Sequence, residues 1–172
     1  MSAYIAKLLK LPPLETAALI AAGASAALVG AWIFEFFGYL PCELCLKQRI
    51  PYHFGIPLAL IVTFIAARGP RGLLAAGFAA LALVFAASAA LGAFHAGVEW
   101  GFWQGPTACT GSSLPAAGGD LLEQLKTVKV VRCDEVAIRI LGLSLAGWNV
   151  VVSLGITLLA ARAAYGSSTE SQ

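Results

Sequence analysis

Four stretches of the chain lack Asp, Glu, Lys and Arg: Thr16 to Phe34, Ile50 to Ala67, Gly72 to Val98 and Ile140 to Ala161. Each is about as long as a helix that crosses the hydrocarbon of a bilayer, which takes roughly 20 residues. The pattern predicts an all-α membrane protein, a four-transmembrane-helix bundle. Its polar separators are unequal: about 15 residues from Glu35 to Arg49, only Arg68-Gly69-Pro70-Arg71 next, then about 41 residues from Glu99 to Arg139. The second and third spans must therefore form a tight antiparallel hairpin. Because every crossing reverses the chain, the short first separator and the long third one lie on the same face of the membrane.

Both of those separators carry cysteines, Cys42 and Cys45 in the first and Cys109 and Cys133 in the third. Basic residues near span ends set orientation, since cytoplasmic flanks are enriched in Lys and Arg. Lys7, Lys10, Arg68, Arg71 and Arg162 all fall on the face opposite the cysteines. The cysteine face also has Lys47, Arg49, Lys126, Lys129, Arg132 and Arg139, but most of these lie in the long loop, where the rule is weak, among acidic residues. The expectation is a bacterial inner (cytoplasmic) membrane protein with both termini cytoplasmic and its cysteine loops in the periplasm, where disulfides persist.

Composition agrees with the pattern. Only 12% of the 172 residues are charged and 59% are hydrophobic, about half the charged fraction of a typical soluble domain. With four spans in lipid, little chain remains for a soluble core, so residues 1–172 read as a single membrane domain. A net charge of +2, scattered along the chain, points to no nucleic-acid partner. The first apolar run follows Lys7 and Lys10 and contains Ala24-Ser25-Ala26, but it exceeds the usual 7 to 15 residues of a signal-peptide core and reads as an uncleaved span. In the long loop, Asp120 and Glu123 have capping-box spacing, and Leu121, Leu125 and Val128 recur at helical spacing, so a short amphipathic surface helix is expected there. The tail from Gly166 to Gln172 reads as disordered.

The chemistry centres on Pro41-Cys42-Glu43-Leu44-Cys45. Two residues between cysteines permit a small disulfide ring, and the start of a helix favours a nearby thiolate through its dipole and free N–H groups. The same pair could ligate zinc with Cys109 and Cys133, although structural zinc sites usually pair their ligands on both sides and these two are 24 positions apart. Haem attachment is disfavoured because Leu46, not His, follows Cys45. Arg49, four residues after Cys45, shares its helical face and would stabilise an anion there; the plainer alternative is an interfacial Arg that snorkels to lipid phosphates. His95, near the end of the third span, is a possible proton donor, or else a histidine bonded to a neighbouring backbone group. Trp100 and Trp103 read as belt residues, Glu99 is ambiguous, His53 reads as a packing or interface residue, and Trp148 and Asn149 read as interhelical packing or hydrogen-bonding groups.

Together these segments resemble the bacterial disulfide bond formation protein B (DsbB) family of membrane quinone reductases. The resemblance covers most of the chain. It rests on Pro41-Cys42-Glu43-Leu44-Cys45 with Gln48-Arg49, on His95-Ala96-Gly97-Val98-Glu99 with Trp103, Gly105-Pro106 and Cys109, on Cys133-Asp134, and on Leu141 to Asn149. The DsbA–DsbB–quinone system is itself the standing example of a periplasm kept oxidising, so this link is one of likeness.

The resemblance implies a protein dithiol:quinone oxidoreductase, with a periplasmic DsbA-type thioredoxin-fold oxidase as partner, the membrane quinone pool (ubiquinone or menaquinone) as cofactor, and no metal. It also implies roles: Cys109 and Cys133 form the disulfide that the partner attacks, at Cys109; Cys133 then attacks Cys42, and Cys45 faces the quinone. Arg49 would stabilise negative charge and His95 would assist in the same pocket. The loop from Thr110 to Lys129 would govern partner choice. A quinone-coupled enzyme of the vitamin K epoxide reductase type would share this logic but lack the His95 to Trp103 and Leu141 to Asn149 segments. A membrane scaffold or metal-binding protein with structural cysteines is the rival from another class, and its zinc form predicts thiols that resist alkylation until chelated.

Overall fold

A computed structural model of the chain describes residues 11–106 and 131–169. Four long helices account for most of these: α1 Pro13–Phe36, α2 Glu43–Arg68, α3 Arg71–Glu99 and α4 Leu145–Thr169. All four are long and apolar enough to span a membrane. In a bilayer the helix is favoured because it satisfies its own backbone N–H and C=O groups, which lipid cannot.

The helices pack in a ring. α1 lies beside α2, α2 beside α3, α3 beside α4, and α4 returns to α1. Gly69 and Pro70 alone separate α2 from α3, so these two form the antiparallel hairpin expected of the shortest separator. The core at the centre is built from Ile20, Ala24, Val62, Phe78, Leu81, Phe85 and Ala160, each 0 or 1% exposed. Small residues let backbones approach, as lipid-embedded helices need in order to gain dispersion contacts. Gly92 shows this: a Cβ there would stand 2.9 Å from Asn149 Nδ2 and 3.3 Å from the Ala146 carbonyl oxygen of α4.

Two ends differ from the sequence expectation. The charge-free window from Ile140 does not begin as helix. Residues Arg139–Ile140 (β1) and Leu143–Ser144 (β2) pair antiparallel around Leu141 and Gly142, whose φ angles are 52° and 87°. Positive φ at both central positions is the geometry of the tight hairpin turn that matches strand twist. Ser144 then opens α4, its Oγ accepting the Gly147 N–H at 3.1 Å, and the Trp148 indole donates to the Ile140 carbonyl at 2.9 Å. Charge counting detects apolar length but not a turn. At the other end, Gly166 to Thr169 continue α4 instead of fraying. There Ser168 and Thr169 satisfy the carbonyls of Tyr165 and Gly166 through their hydroxyls. The expected loop helix around Leu121 to Val128 lies outside the described residues.

Candidate functional site

At the cysteine end of the bundle, Cys42 is the residue that caps α2. Its backbone is extended (φ −77°, ψ 172°), and its Sγ accepts the backbone N–H of Cys45 at 3.2 Å. A cysteine in the capping position sits on the free N–H groups and positive dipole end of the helix. The Cys45 sulfur lies 2.8 Å from that of Cys42, and the pair is a free dithiol. The Cys42 thiol is lowered from an ordinary 9.0 to about 5, first by its hydrogen bond with Cys45, against the opposing effect of burial, and further by His95. Cys42 is thus the thiolate of the reduced pair, with Cys45 as its donor.

His95 comes from the last turns of α3, buried with 3% of its surface exposed. Its Nε2 stands 3.6 Å from Cys42 Sγ and 3.9 Å from Glu99 Oε1. Glu99 is one turn on, with a buried side chain whose Oε2 finds no partner among the described residues. On the other side of the ring, Nδ1 meets Gln48 Nε2 at 2.6 Å.

Cys133 is 1% exposed and packs in one cluster with Cys42, Leu44 and Val98. It is in a disulfide. Cys109 lies outside the described residues. The sulfurs of Cys42 and Cys45 and a ring nitrogen of His95 lie within 4.8 Å of one another, a donor set of the soft type zinc favours. The zinc alternative drew its remaining ligands from Cys109 and Cys133, and an oxidised Cys133 offers no thiolate.

A cavity of about 360 Å³ opens beside this group, between α1, α2 and α4. Its wall is apolar over Ala27, Phe34, Leu40 and Val152, and Cys45, Gln48, Arg49, Tyr52, His95 and Asn149 meet at its polar end. Arg49 shares the cavity with Cys45, as their four-residue spacing predicts. The guanidinium is already engaged, however: it pairs with Glu35 Oε2 of α1 at 2.7 Å and reaches the Ala31 carbonyl at 3.5 Å. This clasp ties the last turns of α1 to the start of α2.

A family model for disulfide bond formation protein DsbB matches residues 14–163. The chain belongs to the DsbB family. This DsbB-family chain is a multi-pass membrane disulfide oxidoreductase. It is similar to an uncharacterised protein, RP370, of Rickettsia prowazekii (strain Madrid E), with 29% identity over 133 residues that cover 74% of each chain. No solved structure matches it.

Glu35, Gln48, Tyr52 and Asn149 join this group of residues without having been assigned a role there from sequence. Cys45, Gln48, Arg49 and Tyr52 recur at three and four residues, so one helical face already linked them. Glu35 and Asn149 come from helices distant in sequence, and no local spacing points to them. His53 faces away: its Nδ1 donates to the Arg49 carbonyl at 2.8 Å and its ring lies near Trp32.

Trp103 covers the outer end of α3. It stacks on Phe94 at 5.9 Å and donates its indole N–H to the Phe94 carbonyl at 2.9 Å. The ring occupies the space a side chain at Gly97 would need, since a Cβ there would meet three ring atoms within 2.7 Å. Gly97→Ala is expected to expel the indole, costing about 1 to 3 kcal/mol of stability. The check is thermal unfolding together with an altered tryptophan emission spectrum.

Proposed function

We propose that this protein reoxidises a periplasmic DsbA-type thioredoxin-fold oxidase and passes the electrons to membrane quinone, ubiquinone or menaquinone, so that disulfides continue to form in exported proteins. One observation carries the reading. Cys45 lines the apolar cavity, Cys133 lines a separate hollow beside Trp103 and Asp134, and Cys42 packs against Cys133 and lines neither. Such a series of sulfurs suits transfer from a water-borne thiol to an acceptor dissolved in lipid.

The cavity suits a quinone head group. Its volume is within the 300 to 1,000 Å³ or so typical of small-molecule sites, and its apolar wall with a few convergent donors is the usual pattern. Arg49 would hold a ring oxygen, and His95 would assist from the same polar end of the cavity through its contact with Cys42. When bound, the quinone supplies an acceptor for two electrons and two protons that departs through lipid as quinol.

The chain's own steps are thiol exchanges. The partner's thiolate attacks the Cys109 sulfur; a partner–Cys109 bond forms, the Cys109–Cys133 bond breaks, and Cys133 leaves as thiolate. Cys133 then attacks Cys42 of the oxidised Cys42–Cys45 pair, whose bond breaks and leaves Cys45 as the thiolate at the cavity. Each exchange conserves electrons and needs only an ionised attacking sulfur within reach. The partner's second thiol then attacks the partner–Cys109 bond, which closes the partner's own disulfide and frees Cys109; Cys109 attacks Cys133, re-forming their bond, and Cys42 leaves as a thiolate, a departure that the hydrogen-bond donors around it favour. The positive residues flanking the α2–α3 turn, Arg68 and Arg71, support placing that turn and both termini in the cytoplasm.

The test mixes the purified full-length protein with a reduced DsbA-type partner, with and without quinone. Catalytic partner oxidation is expected only with quinone, and turnover indifferent to quinone would overturn the reading. Cys133→Ser is expected to accumulate a mixed disulfide with the partner through Cys109. Trapping at Cys42 instead would reverse the assigned point of entry.

A further inference from the structure

Behind His95 runs a line of buried polar groups that crosses from α3 through α2 to α4. Asn149 Nδ2 donates to Gln48 Oε1 at 2.7 Å and to the backbone carbonyl of Ser88 at 3.4 Å. Asn149 Oδ1 accepts from Tyr52 at 2.6 Å, while the Tyr52 hydroxyl also meets Ser153, which is bonded in turn to Ser88. Gln48 Nε2 donates to the Leu44 carbonyl at 3.4 Å and to His95 Nδ1 at 2.6 Å.

Two backbone carbonyls orient the whole line, because a carbonyl can only accept. The Ser88 carbonyl requires the amino end of the Asn149 amide, and the Leu44 carbonyl requires that of Gln48. Asn149 reinforces the second choice by donating to Gln48 Oε1. An N–H from Gln48 therefore points at His95 Nδ1, which must accept. In a neutral imidazole the proton is then on Nε2, the nitrogen that stands 3.6 Å from Cys42 Sγ.

We infer that Gln48 and Asn149 act together as positioning residues that hold His95 with its proton on Nε2, aimed at the Cys42 sulfur. The inference rests on the proposed function only in taking Cys42 as a reacting sulfur. Its consequence for the chemistry is specific. His95 is preset as a hydrogen-bond donor to a thiolate at Cys42, joining the Cys45 backbone N–H and thiol. It is correspondingly ill-suited to ligate a metal through Nε2, since a ligating histidine donates from its other nitrogen and Gln48 offers no acceptor there. Around the ring the titratable groups are Cys42 and Cys45 from the start of α2 and Glu99 from α3 itself. Among the described residues, α4 contributes neutral Asn149 and Ser153.

The chain has only two histidines, so nitrogen NMR of labelled protein, with His53→Asn to remove the other ring, reads the tautomer directly. The reduced wild-type protein, without partner or quinone, is expected to show a protonated, pyrrole-type Nε2 and an unprotonated Nδ1 at His95. Asn149→Leu and Gln48→Leu remove the preference and are expected to give mixed or reversed tautomers. In both, the midpoint for forming the Cys42 thiolate is expected to rise by about one to two pH units. Ser153→Ala removes a neighbour of the line but neither donor, and is expected to lower stability without changing the tautomer or that midpoint. An unprotonated Nε2 in the wild type, or the wild-type tautomer retained in both leucine variants, would overturn the inference. Because this readout involves neither partner nor quinone, such a failure leaves the proposed electron route standing, and failure of that route leaves the tautomer result standing.

Discussion

Cys45→Ser is expected to reduce quinone-dependent oxidation of a reduced DsbA-type partner by roughly a thousand-fold or more, the scale of losing a nucleophile that acts as part of a unit. Serine nearly preserves the volume at the cavity wall, so the bundle should persist. What it removes is the ability to form the Cys42–Cys45 disulfide and to carry an ionised sulfur at neutral pH. Cys45 also lines the apolar cavity, which Cys42 and Cys133 do not, so neither neighbour substitutes for it. The measurement is steady-state partner oxidation at saturating quinone, with circular dichroism to show that the variant is folded. Retention of more than about a tenth of wild-type turnover would place the final electron transfer elsewhere.

The second large effect is on ionisation. In the reduced protein one thiolate, at Cys42, is expected to form with a midpoint near pH 5, against an ordinary 9.0, seen as thiolate absorbance during a pH titration. Cys42→Ser should abolish that step. Cys45→Ala should move it upward, because the hydrogen bond from Cys45 is the largest cause of the lowering. The sign for stability follows. A thiol whose folded value is lowered contributes stabilisation that is fully present above the unfolded value and is lost as pH falls through the folded one. Relative to Cys42→Ser, the reduced protein should therefore lose its advantage between about pH 9 and about pH 5. A single transition near 9 would show that neither Cys45 nor His95 stabilises charge on this sulfur.

The same cysteine makes sense of the leaving-group order. A sulfur that holds negative charge readily departs readily from a mixed disulfide. While Cys42 is joined to Cys133, Cys45 no longer donates to a thiolate and becomes the ionised sulfur itself. Charge thus resides on different sulfurs in the two states, on Cys42 in the dithiol and on Cys45 in the interchange intermediate. Sequence left open which cysteine of the pair the helix start favours as thiolate, and the capping position of Cys42 decides it for the dithiol.

Arg49 illustrates a second refinement. Helical spacing put it beside Cys45, and it does line the same cavity. Its pairing with Glu35 makes it also a strut between α1 and α2. An Arg held by a carboxylate presents its remaining donors in a set direction, which a freely snorkelling side chain would not.

The apolar windows, their separators and the order of the motifs were sufficient by themselves for the membrane class, the number of helices, the α2–α3 hairpin and the family. Those properties are local or counted along the chain: hydrocarbon thickness sets a length, a short connection forces neighbours together, and C-x-x-C carries its own ring geometry. Tertiary structure alone decided that Cys42 caps α2 and packs against Cys133, that Glu35 closes on Arg49, and that Asn149 stands behind Gln48 and His95. Those partners are separated by 14 to 101 positions, and no periodicity links residues on different helices. Their meeting depends on which faces the helices turn toward one another, and that is settled by side-chain packing, as at Gly92, where the absence of a Cβ lets α4 bring Asn149 within reach.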